Sequence, residues 1–203
     1  MLDGVLRRVI DPPLDAIGRR LADAGVSANA MTLGGFVLGM AAVPLLALGA
    51  YGWALLAILA NRLADGLDGA IARRKGPSDL GGFLDIVCDF IFYGAVVFGF
   101  ILATPENRLP GAFLTLSFIG TGSSFLAFAA LAQRRRLKTS AQGSKSLYYL
   151  GGLTEGSETI ALFALCCLFP DAFGVFAWIF GGACWLTTLT RVLAAWRAFG
   201  RLP

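Results

Sequence analysis

The chain has 203 residues, 57% of them hydrophobic and 15% charged, with a mean hydropathy of +0.71; soluble domains carry about 25% charged residues, which argues against a single soluble domain. It contains no histidine, which removes Ser–His–Asp and Cys–His catalysis, His-ligated zinc and haem, and any imidazole base. The net charge of +4 reports membrane topology and anionic lipid, and no nucleic-acid partner is expected because a soluble basic face is missing.

Residues 1–25 read as an interfacial amphipathic segment. Leu2, Val5, Leu6, Val9 and Ile10 share one face with Arg7 and Arg8 opposite. After Pro12-Pro13 the face resumes in Leu14, Ile17 and Leu21, beside Arg19 and Arg20. Such a pattern lies against anionic headgroups. It has no continuous apolar stretch of the kind a signal peptide needs.

The remaining residues, 26–203, read as one membrane domain. An apolar helix needs about 20 residues to cross a hydrocarbon core, and six stretches qualify: 30–49, 51–73, 82–103, 111–132, 149–168 and 172–194. The breaks carry turn chemistry at Gly49 to Gly52, Gly76-Pro77-Ser78, Thr104-Pro105 through Pro110-Gly111, and Pro170-Asp171. The predicted fold class is therefore an all-α integral membrane protein with six transmembrane helices behind an N-terminal amphipathic helix. Basic residues cluster at the N-terminus, after span two (Arg73, Arg74, Lys75), after span four (Arg134, Arg135, Arg136, Lys138, Lys145) and past span six (Arg197, Arg201); the opposite loops hold only Arg108. Both termini and the loops after spans two and four are thus expected in the cytoplasm, in a bacterium beneath the inner membrane. Cys88, Cys166, Cys167 and Cys184 form no CxxC pair and sit in apolar runs, so they read as small buried hydrophobes.

Four of the thirteen acidic residues gather at the cytoplasmic ends of spans two and three. On a helix, Asp65, Asp68, Gly69 and Ala72 fall on one face, with Asn61 and Arg73 at its margins. Gly81, Asp85 and Asp89, spaced by four, form a second stripe, and the turn through Pro77 lets the two stripes face each other. Four converging carboxylates, partly dehydrated, need compensating cations. An all-oxygen set suits Mg²⁺ or Mn²⁺, and two divalent ions would cancel four negative charges and clamp an in-line displacement at phosphorus. The glycines let a phosphate approach the backbone, and Arg73 supplies a planar fork for its oxygens. Pairing with Arg62, Arg73 and Arg74 is the bland alternative, but intramembrane ionisable groups are functional by default.

The pattern Asp65-x2-Asp68-Gly69-x2-Ala72-Arg73-x7-Gly81-x3-Asp85-x3-Asp89 fixes eight positions across 25 residues and resembles the signature of the CDP-alcohol phosphatidyltransferase family. The resemblance implies six transmembrane helices behind an amphipathic helix, and transfer of a substituted phosphate, expected to be phosphatidyl, from a CDP-linked donor such as CDP-diacylglycerol to an alcohol, with release of CMP. It implies Asp65, Asp68 and Asp85 as metal ligands, Asp89 on a second ion and as general base, and Gly69, Ala72, Arg73 and Gly81 around the CDP moiety. The family often has Pro-Asn-x-x-Thr entering its first span. Here Ala28-Asn29-Ala30-Met31-Thr32 keeps Asn29 and Thr32 as nucleotide contacts without the proline. An ion-coupled transporter using the carboxylates as a cation site is the alternative. Against it, the acids lie at the cytoplasmic mouth and no inverted repeat is apparent.

Residues 142–159 enter span five with hydroxyls, glycines and two acids spaced i, i+3. Lys145 is a candidate for holding a phosphate, and Glu155 and Glu158 for hydrogen-bonding a polar alcohol; the bland reading is a snorkelling lysine and acids at a helix N-terminus. Gly120-Thr121-Gly122-Ser123-Ser124 reads as small-residue helix packing, with a homodimer interface as one setting.

Overall fold

In hydrocarbon each backbone N–H and C=O must be bonded within its own segment, and the computed structural model, which describes residues 3–135 and 154–200, contains no strand among them. Helix α1 (Asp3–Asp23) runs through Pro12 and Pro13. It buries Leu14, Gly18 and Ala22, one residue per turn, and leaves Ile10 and Ile17 exposed. Its apolar residues are therefore split between a face packed on the rest of the protein and a face turned outward.

The first predicted span is a pair of helices, α2 (Ala28–Met40) and α3 (Ala42–Ala47). The break at Ala41 has a local cause: Pro44 has no N–H to offer the Met40 carbonyl, and the ladder gives way one turn before the ring. Ser27 caps α2, its Oγ accepting from the Ala30 N–H at 3.1 Å. Helix α4 (Tyr51–Lys75) and helix α5 (Asp79–Ala103) follow, joined by Gly76, Pro77 and Ser78. Ser78 caps α5 through the Gly81 N–H at 3.0 Å. The three-residue connection makes α4 and α5 antiparallel, as the sequence predicts.

A single 3₁₀ turn (Pro105–Asn107) leads into α6 (Arg108–Arg134), which starts three residues before the predicted span. Pro110 sits in its first turn, where its missing N–H costs nothing. Helix α7 (Gly156–Leu168) is the described part of predicted span five, whose first residues lie outside the described ones. A 3₁₀ turn (Pro170–Ala172) then leads to α8 (Phe173–Phe199). Among the described residues four segments are long and apolar enough to cross a membrane: Ala28–Ala47, Asp79–Ala103, Pro105–Arg134 and Pro170–Phe199. Helix α4 is as long as α5 but carries Arg62, Asp65, Asp68 and Arg73 to Lys75, so its purpose in the bundle is polar.

Packing places these charges. A Cβ on Gly35 of α2 would collide with the Ala64 Cβ of α4, so glycine there lets two backbones meet and brings α2 against the acidic stretch of α4. An aromatic cluster fills the other half of the bundle, with Phe100 stacked on Phe173 at 4.7 Å between centroids. The small residues of α6 pack within the chain: Gly122 faces the Phe90 ring of α5, and Gly120 faces Trp185 and Thr188 of α8. The four cysteines are free, and Cys166, Cys167 and Cys184 are buried.

Candidate metal and transfer site

Asp65 and Asp68 lie one turn apart on α4, and Asp85 lies opposite on α5. One carboxylate oxygen from each falls within 4.8 Å of the others. Asp68 is only 7% exposed. Its Oδ2 accepts from the Thr32 hydroxyl of α2 at 2.5 Å, so three helices converge on one carboxylate. Thr32 stands one turn before Phe36 on α2, and the register of that helix is pinned by the Asn61 Nδ2 of α4 donating to the Gly35 carbonyl at 3.0 Å.

Asp89 borders the same cleft, whose internal space is about 10 Å³ and is lined by all four aspartates with Thr32, Asn61 and Arg62. It is not part of the three-carboxylate convergence. The Arg62 Nη2 donates to its Oδ1 at 2.5 Å, and the Tyr93 hydroxyl lies 3.4 Å from its Oδ2. Arg62 also reaches the Asp65 Oδ2 at 3.5 Å. The pairing with arginine that the sequence offered as the bland alternative is thus present at Asp89 and, more loosely, at Asp65.

The other residues of the sequence pattern surround this cleft at different distances. Gly81 stands at the start of α5, where a Cβ would be 3.0 Å from the Ser78 Oγ and 3.1 Å from the Asn29 Oδ1. Asn29 and Gly81 are therefore neighbours at the cytoplasmic-side mouth predicted for this site. Gly69 lies beneath Arg73, whose Nη1 would be 3.4 Å from a Cβ there. Arg73 points to α1: its Nη2 and Nε reach the Asp15 Oδ1 at 2.7 and 3.2 Å. Both partners are about half exposed, so a ligand phosphate can compete for the guanidinium at little cost. Ala72 is half-buried on the same helix. Lys145 lies outside the described residues.

Glu155 and Glu158 form a capping box at the start of α7. Glu155 is the N-cap, and the Glu158 Oε2 accepts from the Glu155 N–H at 3.2 Å. Glu155 additionally lines a second cavity of about 200 Å³ between α5, α6, α7 and α8, together with Tyr93, Thr121, Thr159 and Arg191. Tyr93 borders this cavity and contacts Asp89, so it is the partition between the two spaces.

Two arginines carry more here than the sequence reading assigned. Arg191 is 6% exposed, inside predicted span six. Its Nη1 donates to the Thr121 carbonyl at 2.8 Å and hydroxyl at 2.9 Å, and its guanidinium lies over the Phe125 ring. An arginine in an apolar span is itself conspicuous in the sequence, but its partner Thr121, 70 residues away, has no local signature. Arg62 neighbours Asp65 in sequence, and its contact with Asp89 across 27 residues has no local signature.

The donor set of Asp65, Asp68 and Asp85 is all oxygen, converges from two helices and is buttressed by a hydroxyl, which fits a hard divalent cation of small radius.

Comparison with known proteins gives a consistent picture. The sequence profile of CDP-alcohol phosphatidyltransferases matches residues 25–195. An inner membrane protein of Escherichia coli K12, YnjF, is 57% identical over 193 residues, covering 95% of this chain and 94% of that protein. Archaetidylinositol phosphate synthase of Pyrococcus horikoshii is 29% identical, covering 94% of both chains. In fold, the chain resembles the phosphatidylinositol phosphate synthase of Mycobacterium tuberculosis crystallised with CDP-DAG, at a TM-score of 0.74 and 23% identity over 94% of this chain and 98% of that one. A second structure of that enzyme, in complex with manganese and citrate, aligns at a TM-score of 0.72.

Proposed function

Because the chain belongs to the CDP-alcohol phosphatidyltransferase family, we propose that Asp65, Asp68, Asp85 and Asp89 are the centre at which it transfers a substituted phosphate from a CDP-linked donor to an alcohol. The reaction releases CMP and serves phospholipid biosynthesis. The convergence of three carboxylates within 4.8 Å, beside a fourth held by Arg62, is the observation that carries this assignment.

Asp65, Asp68 and Asp85 hold one divalent cation, Mg²⁺ or Mn²⁺, and Asp89 faces a second. Divalent cations held by these carboxylates would offset the charge of the CDP diphosphate. Thr32 holds Asp68 in place, and Asn29, Gly69, Ala72, Arg73 and Gly81 form the mouth that receives the nucleotide. Arg73 exchanges Asp15 for a diphosphate oxygen. The acceptor oxygen forms the new P–O bond, the P–O bond to CMP breaks, and Asp89 takes the proton from the acceptor hydroxyl. CDP-diacylglycerol is the donor, a reading supported by the fold relative crystallised with CDP-DAG.

The acceptor occupies the cavity beyond Tyr93. Arg191 at its wall, and the synthase relatives named for inositol phosphate products, support an anionic polyol phosphate, with Glu155 hydrogen-bonding its hydroxyls. Glu158, whose carboxylate caps α7 beside Glu155, and Lys145, from its place in the sequence alone, are further candidates for acceptor recognition. The chain spans the membrane six times behind the interfacial helix α1, with both termini and the site on the cytoplasmic face of the inner membrane, and acts as a homodimer.

The test is CMP release by the purified protein in lipid with Mg²⁺ or Mn²⁺, crossing CDP-diacylglycerol and soluble CDP-alcohols with a panel of acceptors that includes inositol phosphate and glycerol phosphate. Chelation by EDTA abolishes release, and restoring either ion returns it. Ion uptake into sealed vesicles without any CMP would instead identify a transporter. In the same assay Glu155→Gln raises the acceptor KM about tenfold while leaving the donor KM within twofold, as expected for one lost charge-assisted hydrogen bond. Equal changes in both constants would remove Glu155 from acceptor recognition.

A further inference from the structure

We propose that Arg62 is a resident counter-cation that competes with the second divalent ion for Asp89, so that the second ion loads only together with the CDP donor. This rests on the metal-site reading above. It begins with the position of Arg62, one turn before Asp65 on α4, with a side chain only 17% exposed. All three guanidinium nitrogens are engaged. Nη2 donates to Asp89 at 2.5 Å and to the Asn61 Oδ1 at 2.8 Å. Nε donates to the same Asn61 oxygen at 3.0 Å. Nη1 lies 3.5 Å from Asp65 and 3.4 Å from the Tyr93 hydroxyl. The group also sits over the rings of Phe92 and Tyr93, 5.4 and 5.6 Å from their centroids. An arginine fixed on so many sides is a permanent part of the charge balance.

That balance decides the order of loading. Four carboxylates and one guanidinium leave three net negative charges, so one divalent ion leaves a single negative charge and a second would make the site net positive. In a partly dehydrated site a net positive charge opposes the second ion strongly. The diphosphate of the donor reverses the sign and restores a favourable balance. Geometry agrees: the first ion has three converging carboxylates that Arg62 touches only at 3.5 Å, whereas Asp89 already accepts a short bond from Arg62 and a longer one from Tyr93, and the internal space of the cleft, about 10 Å³, is that of one small ion or water. Arg62 thereby acts as a positioning residue: it holds Asp89 oriented until donor and ion arrive, and guards against an ion-saturated site that has no nucleotide.

The measurement is Mn²⁺ binding to the purified protein in lipid nanodiscs, read from the free-ion electron paramagnetic resonance signal, with and without CDP as the nucleotide probe. Nucleotide-free wild-type protein binds one ion, and a second at least about tenfold more weakly. Saturating CDP strengthens the second site about tenfold or more. Arg62→Gln binds two ions of similar affinity without CDP, and Arg62→Lys, which keeps the charge, preserves the inequality. Two equally tight ions in nucleotide-free wild type overturn the proposal without need of any variant. So does an Arg62→Gln protein that folds, binds the first ion normally and leaves the second unchanged. If Asp68→Asn retains both ions, the metal-site assignment itself fails, which is a separate outcome.

Discussion

Replacing Asp68 by asparagine is expected to reduce CMP release by roughly a thousandfold or more, equivalent to about 4 kcal/mol of lost stabilisation at the transferring phosphate. Asp68 is the most buried of the four carboxylates and the one on which α2, α4 and α5 meet. The amide keeps the volume and can still accept from Thr32, so the helices stay packed while the convergence loses one of its three charges. The first Mn²⁺ site should therefore weaken by at least about tenfold in the same protein, with thermal unfolding changed by only a few degrees. Thr32→Val provides the graded comparison. It removes the hydrogen bond to Asp68 and the weaker one within α2 to the Ala28 carbonyl, and its effect is expected to be about ten- to a hundredfold on turnover, the range for a residue that orients a ligand. Turnover of Asp68→Asn within tenfold of wild type would place the metal elsewhere.

Asp89→Asn is expected to be nearly as severe in turnover but different in kind. A general base contributes about a hundred- to ten-thousandfold, and an asparagine cannot take the proton of the acceptor hydroxyl. Because Asp89 stands outside the three-carboxylate convergence, the first Mn²⁺ should bind within about threefold of wild type, a change of well under 1 kcal/mol, whereas the second ion and, by linkage, CDP weaken. Loss of kcat with first-ion affinity preserved is the signature. Asparagine still accepts from Arg62, which limits the structural disturbance. Normal turnover would remove Asp89 from the base role, and loss of the first ion as well would mean that all four carboxylates form a single ligand set.

The two variants separate what the primary structure brings together. In the sequence, four aspartates at spacings of three and four look equivalent, and the spacing alone groups Asp85 with Asp89 as one stripe. In the folded chain Asp85 joins Asp65 and Asp68, while Asp89, one turn deeper on α5, meets Arg62 and Tyr93. The difference is set by the rotation and approach of α4 and α5, which no periodicity encodes. Similarly, Arg73 stands one helical turn after the signature Gly69 and lies over it, but its partner Asp15 comes from α1, 58 residues earlier. Glu155 and Glu158 illustrate the reverse case. Their i, i+3 spacing is a local feature, and the local consequence, a reciprocal cap on α7, is what forms.

The sequence by itself determined the membrane class, the helical content, the positions of the turns and the identity of the acidic centre. These depend on hydropathy over tens of residues, on turn chemistry and on helical spacing, all properties of neighbouring residues. The tertiary structure alone decided that Gly120 and Gly122 of α6 pack within the chain, that Arg62 clamps Asp89, and that Arg191 reaches Thr121 across 70 residues to wall a cavity. The physical reason is reach. A charged side chain withdrawn from water must find its partner wherever helix packing delivers one, and that partner is chosen by the register and rotation of whole helices against each other.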